Sequence, residues 1–272
     1  MENKKQRIVI KVGTSTLTHS GGKLNFRSLD KLAMAVADIK NSGREVILVS
    51  SGAIGVGVSK LQMEQRPQEL RFKQAVAAVG QCELMHLYDK FFGEYGQTVG
   101  QILLTREDVD LPKARENLIN TFNALLELGV IPIVNENDSV SFEEIESEHK
   151  VFGDNDTLSA VVAKLCKADL LVLLSDIDGL YDSDPRVNSQ ARLVREVRVI
   201  DEELLAMAGG AGTNRGTGGM VTKLEAAKVA MENGIDMIIA NGAQPDNLYR
   251  IIENEQVGTL FVGKRKKKEG DA

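Results

Sequence analysis

The sequence predicts an α/β fold in which helices cover both faces of a parallel sheet. Short apolar runs rich in Val, Ile and Leu recur along the chain, and longer stretches with helical periodicity separate them. These apolar runs are nearly continuous, which is typical of strands that are buried on both faces of a parallel sheet. No Pro-rich or Ser-rich linker and no internal repeat divides the chain, so a single domain is expected.

The predicted strands and helices alternate in chain order. The clearest strands are Ile8–Val12, Val46–Val49, Val99–Leu104, Val130–Val134, Leu170–Leu174, Met237–Ala240 and Thr259–Val262. Helical periodicity is found near residues 27–41, 69–92, 113–128, 157–167 and 220–233. Each of these helices lies between two strands, as the crossover connections of a parallel sheet require.

Composition excludes several classes of protein. The 272 residues are 43% hydrophobic and 26% charged, which excludes disordered and fibrous chains. No run of about 18 apolar residues is present, and the N-terminus lacks the apolar core of a signal peptide. Cys82 and Cys166 are interpreted as small core residues in a reducing cytoplasm, and the three histidines are too scattered for a His-rich metal site.

The charge distribution argues against a general nucleic-acid binder. The net charge is −6, whereas neutralising phosphates requires a basic face. The exception is residues 264–268, which are all Lys or Arg. A solvated terminus explains this run, and an RNA-associated regulator is the alternative that it leaves open.

Small, polar and acidic residues follow five of the predicted strands. In an open parallel sheet, ligands bind beyond the carboxyl ends of the strands. Turns favour the same residue types, but five such ends together favour a binding crevice. The segments are Gly13–Ser15, Ser50–Ala53, Asn135–Asp138, Ser175–Gly179 and Asn241–Gly242.

Glycine is concentrated in the segment Gly209–Gly219, which leads into a predicted helix with Lys223 in its first turn. Glycine lets the backbone approach phosphate oxygens, and a helix N-terminus binds anions. Lys223 opposes the dipole of that helix, which is understandable if a polyphosphate lies beside it. A surface loop with an incidental lysine is the alternative.

Lys11 interrupts the apolar strand Ile8–Val12 directly before Gly13. Near the centre of a sheet its charge requires an anionic partner, while an edge strand would leave it in water. Two lysines from distant segments, each beside glycine-rich backbone, favour phosphoryl transfer. Asp156 either caps the following helix or orients both lysines. In the second case Asp154 and Asn155 remain as ligands for a polar substrate.

Eight segments carry a resemblance that covers nearly the whole chain: residues 10–18, 49–57, 75–81, 100–105, 135–140, 152–156, 173–186 and 216–223. Together they resemble the glutamate 5-kinases of the amino acid kinase family. The resemblance implies a three-layer α/β/α sandwich around a central, mainly parallel open sheet. It also implies ATP-dependent phosphorylation of the γ-carboxylate of L-glutamate to L-glutamyl 5-phosphate, the first step of proline biosynthesis, with feedback inhibition by proline.

The resemblance further implies which residues form the site. Lys11 and Lys223 would neutralise charge on the transferring phosphoryl group, and Asp156 would hold both lysines. The glutamate-binding residues would be Ser51, Gly52, Asn135, Asp138 and Asn155. The ATP-binding residues would be Lys11, Gly13, Ser175, Asp176, Thr217, Gly218, Gly219, Met220, Val221, Thr222 and Lys223. Mg²⁺ would arrive with ATP, and no protein ligand for it is predicted.

The resemblance implies one kinase domain over residues 1–272. A glutamate-binding lobe would reach to about residue 165, an ATP-binding lobe would span about 166–263, and a charged tail would form 264–272. No C-terminal PUA module, nucleic-acid partner or membrane contact is expected, and the family suggests a homodimer or homotetramer. The acidic stretch 143–150 lies between two substrate segments, so sensitivity to proline is expected to differ from that of other members.

Two other functions stay open at this stage. The substrate could be N-acetylglutamate or another substrate of the family, although Asp138 as a partner for a free ammonium favours glutamate. The chain could also be a catalytically silent amino-acid or nucleotide sensor. Retention of Lys11, Asp156 and Lys223 together argues against a sensor, because a binding protein would not need all three.

Overall fold

Eight strands form one sheet in the part of the chain that the computed structural model describes, residues 5–19, 23–140, 154–202, 204–205 and 219–265. They are β1 (Arg7–Val12), β2 (Glu45–Ser50), β3 (Val99–Leu104), β4 (Ile131–Glu136), β5 (Leu170–Ser175), β6 (Glu196–Val197), β7 (Asp236–Asn241) and β8 (Thr259–Phe261). Their order across the sheet is β3-β4-β2-β1-β5-β7-β8-β6. All neighbouring pairs are parallel except β7 with β8, so the predicted mainly parallel sheet is confirmed.

Nine helices are described: α1 (Thr14–Leu17), α2 (Phe26–Asn41), α3 (Ala53–Lys60), α4 (Leu70–Glu94), α5 (Arg106–Asp110), α6 (Pro112–Glu127), α7 (Asn155–Leu165), α8 (Met220–Glu232) and α9 (Asn247–Ile252). The five predicted helices are α2, α4, α6, α7 and α8, each confirmed to within two residues at its ends. The other four have eight residues or fewer, which is too short for a clear 3.6-residue period.

The helices lie on both faces of the sheet and bury a hydrophobic core on each. Ile8 and Ile10 of β1 pack in the core that α2 and α4 cover, whereas Val9 packs in the core under α6, α7 and α8. Successive residues of a strand point to opposite faces, so one central strand serves both cores. The predicted α/β/α sandwich is therefore confirmed.

The predictions for the two cysteines have different outcomes. Cys166 is buried as predicted, but the prediction for Cys82 is wrong, because Cys82 lies on an exposed part of α4.

Within the described ranges no helix is both long and apolar enough to cross a membrane. The acidic stretch 143–150 and the tail from residue 266 onward lie outside the described residues.

Two glycines bring the backbones of α3 and α4 into contact. A Cβ atom on Gly80 of α4 would lie 1.8 Å from the carbonyl oxygen of Ala53. A Cβ atom on Gly57 of α3 would lie 2.1 Å from the carbonyl oxygen of Val76. No side chain fits at either position, so the two helices can pack this closely only through glycine. The contact with Ala53 holds the first residue of α3 where the chain leaves β2.

Replacing Gly80 with Ala is expected to destabilise the protein by about 1–3 kcal/mol or more, because α3 and α4 must separate to admit the methyl group. Gly93→Ala in the same helix is the matched control, since nothing lies within 4 Å of its Cβ position. This control should stabilise the helix by up to about 1 kcal/mol. Urea unfolding measures both effects, and equal stability of Gly80→Ala and wild type would contradict the packing argument.

Candidate active site

A cleft of about 410 Å³ opens at the carboxyl ends of β1, β2, β4 and β5. Four of the five predicted strand-end segments contribute to its wall, and Asn241 and Gly242 after β7 do not. The predicted residues that line the cleft are Lys11, Gly13, Ser51, Gly52, Asn135, Asp138, Asn155, Asp156, Ser175, Asp176 and Lys223. The chain therefore brings most of the predicted site together from six separate segments.

Two lysines share one carboxylate at the base of the cleft. Lys11 Nζ lies 2.7 Å from Asp156 Oδ1, and Lys223 Nζ lies 2.9 Å from Asp156 Oδ2. All three side chains are buried, and Asp156 is only 1% exposed. The three groups carry a net charge of +1, so this buried cluster remains attractive to an anion.

The position of β1 explains why Lys11 reaches this carboxylate. Lys11 pairs with Val49 of β2 on one side and with Leu173 of β5 on the other. The edge-strand alternative for Lys11 is therefore wrong. Lys11 shares the face of β1 on which Val9 meets α7 and α8, and these helices supply Asp156 and Lys223.

The N-terminus of α7 leaves the Asp156 side chain available to the lysines. The helix is capped by Asp154, whose Oδ1 accepts hydrogen bonds from the backbone N–H groups of Asp156 at 2.8 Å and Thr157 at 3.0 Å. The alternative in which Asp156 is itself the cap is therefore wrong. A carboxylate in the first turn also interacts favourably with the helix dipole.

Burial by itself would raise the pKa of Asp156, since it disfavours the charged form. The charges of Lys11 and Lys223 and their hydrogen bonds outweigh burial and hold this pKa below its ordinary value. Asp156 is therefore ionised at neutral pH. Thr222 Oγ1 lies 3.4 Å from Asp156 Oδ2 and adds a weak contact from the first turn of α8.

A second group of polar side chains lies beside the lysines, after β2 and β4. Asn155 Nδ2 donates to the backbone carbonyl of Ser50 at 2.7 Å and to Ser51 Oγ at 2.9 Å. It also lies 3.1 Å from Asn135 Oδ1. These contacts tie the start of α7 to the ends of β2 and β4, and they directly connect three of the predicted glutamate-binding residues, Ser51, Asn135 and Asn155.

Asp138 lies on the same side of the cleft with Arg66, which comes from the loop between α3 and α4. Burial raises the pKa of Asp138, and the positive charge of Arg66 opposes this rise. No sequence signal marked Arg66, because it follows no strand and stands in a polar loop. It reaches the cleft only because α3 turns the chain back toward it.

The turn into α3 places open backbone amides at the cleft. Gly52 has φ 93°, a left-handed conformation that favours glycine, and a Cβ atom there would lie 3.2 Å from Thr14 Cγ2. The N–H of Ser51 is already used, since it donates to the carbonyl of Val12 at 3.2 Å. The amides of Gly52 and Ala53 bond to no other described residue and remain at the start of the helix.

The predicted ATP-binding residues fall into three groups. Gly13, Ser175 and Asp176 line the cleft, and Ser175 Oγ donates to Asp176 Oδ1 at 3.1 Å. Gly219 caps α8 without lining the cleft, while Met220 packs partly buried against the core and Val221 is exposed. Thr217 and Gly218 lie outside the described residues.

The fit of a nucleotide can be judged at Gly13. A Cβ atom on Gly13 would lie 3.7 Å from Lys11 Nζ, so the bare glycine leaves space beside the ammonium group for phosphate oxygens. Across the described segments, no group of three or more His, Cys, Asp or Glu side chains could hold a metal ion. Asp176 carries the one carboxylate among the predicted ATP-binding residues, and together with phosphate oxygens it would supply the oxygen ligands that Mg²⁺ prefers.

A model of the amino acid kinase family matches residues 6–241, a range that contains every site residue described above. The chain belongs to the amino acid kinase family. Within this family, glutamate 5-kinase from Clostridium perfringens (strain 13 / Type A) is 58% identical over 260 residues, 96% of each chain. Glutamate 5-kinase from Listeria monocytogenes serotype 4a is 56% identical over 266 residues, 98% of this chain and 96% of that protein. The predicted resemblance to glutamate 5-kinases is thus confirmed.

Solved structures of other kinases share the fold at low sequence identity. Carbamate kinase from Giardia lamblia, bound to AMP-PNP, superposes with a TM-score of 0.67 at 16% identity, covering 96% of this chain and 99% of that chain. Isopentenyl phosphate kinase from T. acidophilum gives a TM-score of 0.64 at 18% identity, with coverage of 94% and 100%. These similarities confirm the amino acid kinase fold.

Several residues that line the cleft were not assigned a role from the sequence. Thr14, Ser15 and Glu136 lie within the predicted strand-end segments, so the strand-end pattern contained a signal for them. Arg66 had none. Asp154, which was expected as a ligand for a polar substrate, lines the cleft at the start of α7. The Asp154 side chain has one oxygen, Oδ2, that is buried without a hydrogen-bond partner among the described residues.

Asp156→Asn is expected to lower the free energy of unfolding by about 3–5 kcal/mol at neutral pH, because it leaves two buried ammonium groups without a counter-charge. Since the folded state lowers the pKa of Asp156, this contribution is complete above the unfolded pKa and is lost as the pH falls through the folded pKa. The difference between variant and wild type should stay constant down to about pH 4 and shrink below it.

Urea unfolding across this pH range measures the difference. Asp110→Asn is the control, because Asp110 forms an exposed ion pair with Arg106 at 3.0 Å. This exposed pair is expected to contribute less than about 1 kcal/mol at any pH. A loss of stability in Asp156→Asn no larger than in Asp110→Asn would contradict the assigned ion pairs.

Proposed function

We propose that this amino acid kinase transfers the γ-phosphoryl group of ATP to the γ-carboxylate of L-glutamate and forms L-glutamyl 5-phosphate, the first step of proline biosynthesis. The observation that carries the proposal is the buried cluster of two lysines on one aspartate, open to a cleft, in a chain that is 58% identical to a glutamate 5-kinase. Phosphoryl transfer to a carboxylate requires little more than positioning and charge neutralisation, which this cluster can provide.

The two lysines act on the group in transfer. Lys11 at the end of β1 and Lys223 at the start of α8 approach from opposite sides of Asp156, so both ammonium groups remain close to one point. Negative charge on the transferring phosphoryl oxygens is stabilised there without any reorganisation of the protein. Asp156 keeps the lysines in place and does not exchange a proton during the reaction.

No general base is needed. The γ-carboxylate of glutamate is already ionised at neutral pH, so its oxygen can attack the phosphorus directly once both substrates are aligned. This agrees with the composition of the cleft, whose described lining includes no histidine. The enzyme contributes alignment of the two substrates and a low-dielectric site for the charge.

Glutamate lies on the side of the cleft that β2 and β4 form. The open amides of Gly52 and Ala53 bind its carboxylate oxygens at the start of α3. The carboxylate of Asp138 pairs with the α-ammonium group, and Ser51, Asn135 and Asn155 complete the pocket. A free ammonium group is required by this arrangement, which favours glutamate over N-acetylglutamate.

ATP lies on the side formed by the ends of β1 and β5 and the start of α8. Gly13 leaves room for phosphate beside Lys11, and Ser175 and Asp176 flank the nucleotide. Gly219 to Thr222 form the start of α8 and lead into Lys223, and Thr217 and Gly218 belong to the same proposed ATP-binding segment. Mg²⁺ bound to the phosphate oxygens would neutralise part of their charge.

Four further properties complete the proposal. The glutamate lobe extends to about residue 165 and the ATP lobe from about 166 to 263, with the cleft between them. The enzyme is a homodimer or homotetramer, works in the cytoplasm and is inhibited by its pathway product, proline. Both cysteines are free thiols, which agrees with a reducing compartment.

The proposed reaction is tested by incubating the purified chain with ATP, Mg²⁺, glutamate and hydroxylamine, which traps the acyl phosphate as γ-glutamyl hydroxamate. We expect hydroxamate with glutamate and little or none with N-acetylglutamate, because acetylation removes the charge that Asp138 binds. Equal or faster turnover of N-acetylglutamate would contradict the assigned substrate. ATP binding without any turnover would instead favour the alternative of a catalytically silent sensor.

The same assay with proline present tests feedback inhibition. Proline is a small amino acid with a charged ammonium and one carboxylate, so it can compete for the groups that bind these parts of glutamate. We expect inhibition by proline that higher glutamate concentrations relieve. Rates that do not change as proline is added would remove feedback inhibition from the proposal.

A further inference from the structure

A chain of three side-chain amides leads from helix α4 to the glutamate side of the cleft. Gln81 Oε1 accepts a hydrogen bond from Asn135 Nδ2 at 2.9 Å. Asn135 Oδ1 in turn lies 3.1 Å from Asn155 Nδ2. Gln81 is 8% exposed and Asn135 is 2% exposed, so water cannot easily replace either partner. Gln81 does not line the cleft and reaches it only through Asn135.

Two backbone groups determine the direction of every amide in this chain. The N–H of Glu136 can only donate, and it lies 2.9 Å from Asn135 Oδ1, so the opposite end of the Asn135 amide is its NH₂ group. The carbonyl of Ser50 can only accept, and it lies 2.7 Å from Asn155 Nδ2. Gln81 must consequently present its oxygen to Asn135.

The direction of the chain determines what Asn155 offers to a ligand. Its NH₂ group faces Ser50, Ser51 and Asn135, so its oxygen faces away from all three. Asn155 Oδ1 receives no hydrogen bond from the described residues, and Asn155 lines the cleft. This oxygen and the carboxylate of Asp138 both belong to residues that line the cleft, and both are acceptors of the kind that an ammonium group needs.

We infer that Gln81 is a positioning residue for the α-ammonium group of glutamate, acting through Asn135 and Asn155. This inference rests on the proposed function. If Gln81 offers no acceptor, the NH₂ group of Asn135 loses its buried partner, and the Asn135 side chain can move to find another one. Its contact with Asn155 Nδ2 is then weakened, and Asn155 loses one of the three acceptors that hold its oxygen toward the substrate.

The neighbouring Gly80 fixes the backbone from which the Gln81 side chain extends. Gly80 packs against the carbonyl of Ala53, so the backbone of α4 cannot shift here without moving α3. The side chain of Gln81 therefore starts from a defined position. The same helix contact that places the amides of Gly52 and Ala53 also places the first member of the amide chain.

Steady-state kinetics of Gln81→Met in the full chain test the inference. Methionine keeps the length of the side chain but removes the acceptor, so KM for glutamate should rise about ten-fold, as expected for a weakened hydrogen bond to a charged group. We expect kcat and KM for ATP to change by less than about two-fold, since neither lysine is affected. Gln81→Glu retains an acceptor oxygen and should restore KM for glutamate.

Gln97→Met is the matched control. Gln97 is also 8% exposed, and it accepts from Lys40 Nζ at 2.6 Å and donates to Asn41 Oδ1 at 3.0 Å, away from the cleft. Gln97→Met should lower the free energy of unfolding by about as much as Gln81→Met does, and it should leave KM for glutamate unchanged. Gln81→Ala, which favours the helix, is the second variant if Gln81→Met does not fold.

Four results would overturn the inference that Gln81 positions the α-ammonium group. An active wild type whose KM for glutamate is unchanged in Gln81→Met and Gln81→Ala would overturn this inference alone. The same is true if Gln81→Glu is impaired as strongly as Gln81→Met, or if Gln97→Met raises KM equally. A wild type without glutamate-dependent turnover would overturn both this inference and the proposed function.

Discussion

The two ion pairs of Asp156 are the interaction on which the rest of the site depends. They join the end of β1 to the starts of α7 and α8, segments that are far apart in sequence. Two buried ammonium groups would repel each other, and burying either one alone would be strongly unfavourable. One shared carboxylate makes both tolerable and still leaves a net positive charge facing the cleft. The lysine cluster is therefore suited to an anion before any substrate is present.

The remaining half of the cleft has a different chemical character. Where β2 and β4 end, the wall offers amide and carboxylate oxygens together with open backbone N–H groups, which suits a zwitterion with an extra carboxylate. The glycine contact between α3 and α4 connects this half to the helical layer, because Gly80 fixes Ala53. Under the proposed function, lysines on one side and oxygen acceptors on the other would orient a substrate whose own charges are separated.

The sequence was sufficient for most of the fold and for part of the site. Strands buried on both faces leave near-continuous apolar runs, and long amphipathic helices leave a clear period, so these elements could be predicted. Lys11 was detectable because a charge in such a run is unusual. The exposure of Cys82 and the approach of Arg66 depend on tertiary contacts that leave no local pattern. At the start of α7, both Asp154 and Asp156 are residues that can cap a helix, and the local sequence does not decide between them. The short helix α3 was not predicted from the sequence, because Gly55 and Gly57 lower its helix propensity.

The turnover of Lys223→Ala tests the central claim most directly, namely that the lysines on Asp156 stabilise the phosphoryl group in transfer. Lys228→Ala is the control, since Lys228 is an exposed lysine of the same helix. If the claim is right, kcat for hydroxamate formation falls by about 10²-fold or more in Lys223→Ala, with the protein folded and glutamate still bound, and stays near wild type in Lys228→Ala. A Lys223→Ala enzyme with nearly normal kcat would contradict it.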